Sequence, residues 1–144
     1  MTSKDRGNYS RKHHGDRELN PDIVKAVREK VSDNKITCAA VFKIAKNTGA
    51  APGEVGFTLD MLEMRIIRCQ MGIFGYEPEK KAVKPMEKVP DELENAIKEK
   101  LLNGKLTCGS AWEIAKAYGR PKMDVSSACE RLGIKIKPCQ LGAF

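Results

Sequence analysis

Apolar residues recur at helical spacing near the start of each half of this 144-residue chain. Ile23, Val27 and Val31 lie four residues apart, so they share one face of a helix, which Pro21 opens at a position where its missing N–H costs little. The same spacing returns from Leu93 to Leu101. The pattern therefore predicts an amphipathic helix at the start of each half.

A second and a third helix are predicted after each of these. Thr37 and Thr107 suit the N-cap of a second helix, and Gly49 and Gly119 suit its end. Pro52 opens a third helix in the first half, and a proline stands at the corresponding place in the second. Each half is thus expected to contain three helices.

Short strands are predicted after the third helices, at Arg65–Cys69 and Lys135–Cys139. Pro138 marks an edge position or the end of the second strand. If the residues around Ile36 pair with the first strand, Cys38 and Cys69 come close together.

The two halves are copies of one another. Ile36-Thr37-Cys38 returns as Leu106-Thr107-Cys108, and the segment Cys69–Phe74 returns as Cys139–Phe144, each displaced by 70 residues. A gapless match of this length indicates an internal duplication.

The duplication divides the chain into four parts. Residues 1–19 are polar and basic without periodic apolar positions, which predicts a disordered tail. Residues 20–76 and 89–144 are the two repeats, and residues 77–88 form a charged linker with two prolines. The fold class expected is mainly α, with two tandem three-helix units that each end in a short strand or hairpin.

The composition favours a soluble protein with an anionic partner. The longest apolar runs have about five residues, whereas a membrane span needs about 20, so we expect a cytoplasmic protein with no membrane contact. The net charge of +7 favours nucleic acid over an acidic protein surface, although a solubilising charge is the alternative. The sequence contains no phosphate loop, dinucleotide motif or other catalytic signature, so we expect no enzyme activity and no cofactor.

The second and third predicted helices resemble a helix-turn-helix. Ala45, Gly49 and Val55 occupy the small-residue, turn-glycine and core positions of that motif, and the residues 70 positions on repeat them. With the helix before and the strand after, each repeat is similar to a winged-helix-like unit. The resemblance implies a transcription regulator that binds double-stranded DNA.

The resemblance also implies that the third helix of a repeat enters the major groove. In the first repeat this helix carries Glu54, Asp60 and Glu63, which would repel phosphates. The second repeat carries side chains that can bond phosphates and bases. The predicted DNA-binding residues are Lys122, Ser126, Ser127 and Arg131, with Lys135 and Lys137 on a possible wing.

Two other functions remain open. The first repeat could dock a protein partner through an exposed Phe57 and Met61. Alternatively, four paired thiols could form a metal or redox sensor, although free cysteines are more often small core residues. The candidate ligands for that site are Cys38, Cys69, Cys108 and Cys139.

Overall fold

The computed structural model describes residues 18–78 and 80–143, and within them the protein is mainly helical. The predicted tail lies almost entirely outside these residues, as does Phe144. The described part has six helices and one small sheet. The elements are α1 (Pro21–Lys30), β1 (Lys35–Thr37), α2 (Cys38–Thr48), α3 (Pro52–Met61), β2 (Arg65–Ile67), α4 (Asp91–Glu99), α5 (Cys108–Ala117) and α6 (Lys122–Leu132).

The predicted caps form as expected. Thr37 Oγ1 accepts a hydrogen bond from the Ala40 amide at 3.2 Å, and Thr107 Oγ1 accepts one from the Ser110 amide at 3.0 Å. These bonds satisfy amides that the first turn of a helix leaves without an intrahelical partner. Gly49 ends α2 in the left-handed conformation, with a φ of 72°.

The predicted pairing around Ile36 is confirmed. β1 and β2 run parallel, with Ile36 opposite Ile66. In the second half, the equivalent pairing is reduced to one parallel bridge between Leu106 and Ile136. Lys135 and Lys137 therefore flank a parallel bridge rather than lie on an antiparallel wing.

Asn34 and Gly104 tolerate the left-handed conformation, which predicts that each ends the first helix of its repeat. In the structure each lies in a turn instead. α1 already ends at Lys30, and Asn34 lies in a tight turn closed by the Ser32–Lys35 bridge. Asp33 and Asn34 both have positive φ, as do Asn103 and Gly104 in the second half. Two successive residues of positive φ are typical of a type I′ hairpin turn, and Asn-Gly is its preferred sequence.

The first compact unit contains residues 18–69 together with Leu141–Ala143. Its core is apolar and includes Ile23, Val27, Val41 and Leu59, all fully buried. Every residue of α3 from 55 to 60 is buried, so this helix is covered on all sides. The Leu141 backbone lies against Gly56 so closely that an added Cβ would overlap the Leu141 carbonyl oxygen.

The second compact unit contains the described residues from Gln70 to Gln140. Leu93, Ile97, Ala111 and Val125 form its core. The segment predicted as a linker belongs to this unit and includes Val83, which is 7% exposed. It packs on α6, where the Met86 amide donates to the Ser127 carbonyl at 3.0 Å.

The compact units therefore do not end where the repeats end. The segment after β2 belongs to the second unit, and residues 141–143 belong to the first. Each repeat thus contributes its last segment to the unit formed by the other repeat. The two segments bind at equivalent places, because Met71 corresponds to Leu141 and Ser126 corresponds to Gly56. In the second unit the Met71 carbonyl accepts a hydrogen bond from the Ser126 hydroxyl, and in the first unit the Leu141 carbonyl meets Gly56.

Candidate nucleic-acid interface

A groove of about 530 Å³ opens where α5 turns into α6. Lys116 near the end of α5, Arg120 in the turn and Lys122 at the start of α6 line it, along with Trp112 and one acidic residue, Glu113. Three cations against one carboxylate make the groove positive. Since Glu113 also lies 3.4 Å from the Lys100 ammonium, part of its charge is offset.

Two of the three groove cations contact neighbouring side chains. Lys122 Nζ lies 4.5 Å from the centroid of the Trp112 ring, a distance typical of a cation–π contact. Arg120 Nη1 lies 3.5 Å from the Asp124 carboxylate one turn further on. These contacts restrain the side chains and leave a positive rim at the N-terminus of α6, where the helix dipole also favours anions. The arrangement can bind a phosphate.

Two of the predicted DNA-binding residues are engaged elsewhere. Ser126 is 1% exposed, and its hydroxyl donates to the Met71 carbonyl at 2.5 Å. The Ser127 hydroxyl donates to the Lys84 carbonyl at 2.6 Å. One bond attaches the end of the first repeat to α6 and the other attaches the linker, so neither hydroxyl is available to a phosphate in this conformation.

The other predicted contacts are accessible. Lys122 is half-buried in the groove, and Arg131 is exposed in the last turn of α6. Lys135 and Lys137 are exposed on either side of the buried Ile136. All four side chains can therefore meet an anionic partner without a change in the backbone.

Sequence reasoning missed Lys116 and Arg120. The signal that could have found them is the local charge: residues 105–137 contain seven lysines and arginines and three acidic residues. That excess of four accounts for more than half of the net charge of +7. Because the helix-turn-helix comparison drew attention to the third helix, cations on the second helix and in the turn were left out.

The prediction that Phe57 is exposed in the first repeat is wrong. Phe57 is 5% exposed, because α3 is covered on all its faces in the first unit. Asp60, expected to point outward, is 3% exposed. Met61 is 37% exposed, so of the two predicted docking residues it alone reaches the surface.

The cysteines are mostly core residues. Cys38, Cys69, Cys108 and Cys129 are buried, and Cys139 is half-buried. Within the described residues, no group of three or more His, Cys, Asp or Glu side chains could hold a metal ion. Burial raises the pKa of the Cys129 thiol to about 12, and the neighbouring Glu130 carboxylate adds to the effect.

Comparisons with protein-family models, with curated proteins and with solved structures found no match to this chain. None of the helices in the described residues has the length and apolar character needed to cross a bilayer.

Proposed function

We propose that this protein is a DNA-binding regulator in which the second unit makes the contact. The observation that carries the proposal is the convergence of Lys116, Arg120 and Lys122 on one groove at the N-terminus of α6. Lysine and arginine side chains that neutralise phosphates supply much of the affinity of proteins for duplex DNA.

The packing of each repeat supports a helix-turn-helix as the framework. Ala45 and Val55 are buried in the first unit, and Ala115 and Val125 are buried in the second. Gly119 has a φ of 62°, as a tight turn between two helices requires. These are the features by which that motif brings its two helices together.

The two units then have different roles. α3 is buried along residues 55–60 and serves as a core helix of the first unit. α6 has cations at both ends, with Lys122 at its start and Arg131 in its last turn. Phosphate contacts from these ends would position α6 on the duplex, and such contacts fix register without specifying sequence.

The test is the salt dependence of binding to a random-sequence duplex. In the full chain, the triple substitution Lys116→Ala, Lys122→Ala and Arg131→Ala should weaken binding. It should also flatten the slope of log K against log salt by up to about 2.7, because each lost phosphate contact removes about 0.9.

The matched control is Lys25→Ala, Lys43→Ala and Lys46→Ala, which removes the same charge from exposed positions of α1 and α2. It should change the slope much less. Equal slopes for the two variants would mean that binding follows net charge and that the groove is not the site.

A protein-interaction module is the second candidate, and one observation favours it. The third helix of each unit has a chain segment packed against it, Leu141 on α3 and Met71 on α6. Peptide recognition can combine main-chain hydrogen bonds with burial of individual side chains, and the buried Met71 makes a main-chain hydrogen bond to α6. If wild-type protein shows no salt-dependent binding to any duplex, this function replaces the first.

A further inference from the structure

One face of α6 is covered by two short segments of the second unit, residues 71–72 and 81–86, which we term the cover. The Gly72 carbonyl joins them, since it accepts hydrogen bonds from the Ala82 amide at 2.8 Å and the Val83 amide at 3.1 Å. Val83 is the buried residue of the cover. The space around Gly72 is tight, because an added Cβ would lie 3.2 Å from the Val83 amide nitrogen and 3.3 Å from Met123 Sδ.

The cover contacts α6 at positions that follow the helical repeat. Its Met71 and Lys84 carbonyls accept from the Ser126 and Ser127 hydroxyls. One turn further on, Lys81 Nζ lies 2.6 Å from the Glu130 carboxylate. Residues 123, 126, 127 and 130 share one side of a helix, so the cover occupies a continuous face.

Ser126 and Ser127 on this face are two of the residues that the helix-turn-helix resemblance assigns to contact with DNA. Duplex DNA and the cover cannot occupy this face at the same time. The groove cations Lys116, Arg120 and Lys122 are not bonded to the cover, so phosphates can reach them while it is in place.

We propose that the cover is an intramolecular competitor of duplex DNA for α6, and this inference rests on the proposed function. Phosphates first meet the groove, and the cover then leaves the helix face as the duplex docks. The contacts that must break include the Lys81–Glu130 ion pair at the surface, whose side chains are 45% and 30% exposed, and the buried Ser126–Met71 hydrogen bond. Opening therefore has a cost, which the groove contacts with phosphates offset.

The first test uses Val83→Ala in the full chain. The substitution removes apolar contacts of the cover without altering α6 or any charge. The affinity measured for duplex DNA is proportional to the fraction of protein in which the cover is open. Because Val83→Ala makes opening easier, it should tighten duplex binding by about tenfold. The salt slope should stay the same. Hydrogen exchange at the amides of Ala82, Val83 and Met86 should accelerate in the free variant, since these amides hold the cover together and attach it to α6.

The control is Val27→Ala, which truncates a fully buried valine of α1 in the first unit. It should not tighten duplex binding. If it tightens binding as much as Val83→Ala does, the effect follows from general destabilisation and the inference is overturned.

The second test is hydrogen exchange of wild-type protein with and without duplex DNA. We expect the three cover amides to exchange faster in the complex, while amides in the core of α5 keep their protection. If the cover amides remain protected in a complex whose binding is salt-dependent, DNA binds with the cover closed; the inference then fails and the proposed function stands. If neither wild type nor Val83→Ala binds duplex DNA, both fail, and the cover is simply part of the core of the second unit.

Discussion

Cys129 illustrates how burial changes the chemistry of a single side chain. It is 1% exposed, and its repeat counterpart is Leu59, so the fold treats the thiol as a small apolar group. A thiolate is disfavoured in such surroundings, and Glu130 next to it disfavours the charge further. The position of Cys129 in the core therefore makes its thiol unreactive.

This raised pKa has a predictable effect on stability at alkaline pH. In the unfolded chain the Cys129 thiol has its ordinary pKa of about 9.0, whereas burial in the folded protein raises this pKa to about 12. Between these values the unfolded state binds fewer protons, so the free energy of unfolding falls as the pH rises. Urea unfolding at several pH values from 8 to 11 should show a shallower decline for Cys129→Ala than for wild type. If the free energy of unfolding declined equally with pH in both proteins, the Cys129 thiol would have an ordinary pKa in the folded state.

At the scale of elements, α3 and α6 each pack against a backbone carbonyl of another segment, but with different residues at the contact. In α6 the helix position that faces the incoming backbone is Ser126, which donates a hydrogen bond to the Met71 carbonyl. In α3 that position is Gly56, which has no side chain and lets the Leu141 carbonyl approach the helix backbone. The carbonyl can be accommodated by a hydrogen-bond donor or by the absence of a side chain. An apolar side chain would neither donate a hydrogen bond nor leave space for the carbonyl.

Gly56→Ala should therefore destabilise the protein, although alanine is the better helix former. The added Cβ would lie 2.8 Å from the Leu141 carbonyl carbon, and such overpacking costs about 1–3 kcal/mol. The control is Gly109→Ala in α5, where an added Cβ meets its nearest atom at 3.9 Å. That change should be neutral or should stabilise by up to about 1 kcal/mol through helix propensity. Urea unfolding of both variants checks the difference, and a Gly56→Ala variant as stable as Gly109→Ala would contradict the close approach.

At the scale of the whole molecule, the duplicated chain is not a pair of self-contained repeats. Each compact unit includes a segment that the sequence places at the end of the other repeat. Leu141 and Met71 are both almost fully buried, so each contributes apolar contact to its unit. The stability of one unit consequently depends on residues that belong to the other half of the sequence.

This organisation predicts a crosswise effect of two substitutions. Leu141→Ala should lower the protection of amides in α1 to α3, although Leu141 lies in the second repeat. Met71→Ala should instead lower the protection of amides in α5 and α6. Truncation of a buried Leu or Met costs about 2–5 kcal/mol, which is large enough to measure by residue-resolved hydrogen exchange. Each variant is the control for the other. If each substitution instead lowered protection in the helices of the repeat that contains it, the crosswise packing of the two segments would be contradicted.

The sequence by itself determined the features that depend on neighbouring residues. Caps at Thr37 and Thr107, the left-handed end of α2 at Gly49 and the strand at Arg65–Ile67 all follow from local chemistry. Asn34 and Gly104 show that a local signal can have two meanings, since both suit the end of a helix and in the structure both lie in hairpin turns. The duplication was also readable, since it needs no structure.

Only the tertiary structure decided which segment packs on which helix. The packing of the short segments after the strands depends on contacts between residues about 55 to 85 positions apart, such as Met71 with Ser126 and Gly56 with Leu141. No periodicity or cap encodes such a contact. For the same reason Ser126, Phe57 and Asp60 were expected to face solvent: a helical pattern assigns residues to faces, and the packing of distant segments determines which of those faces is covered.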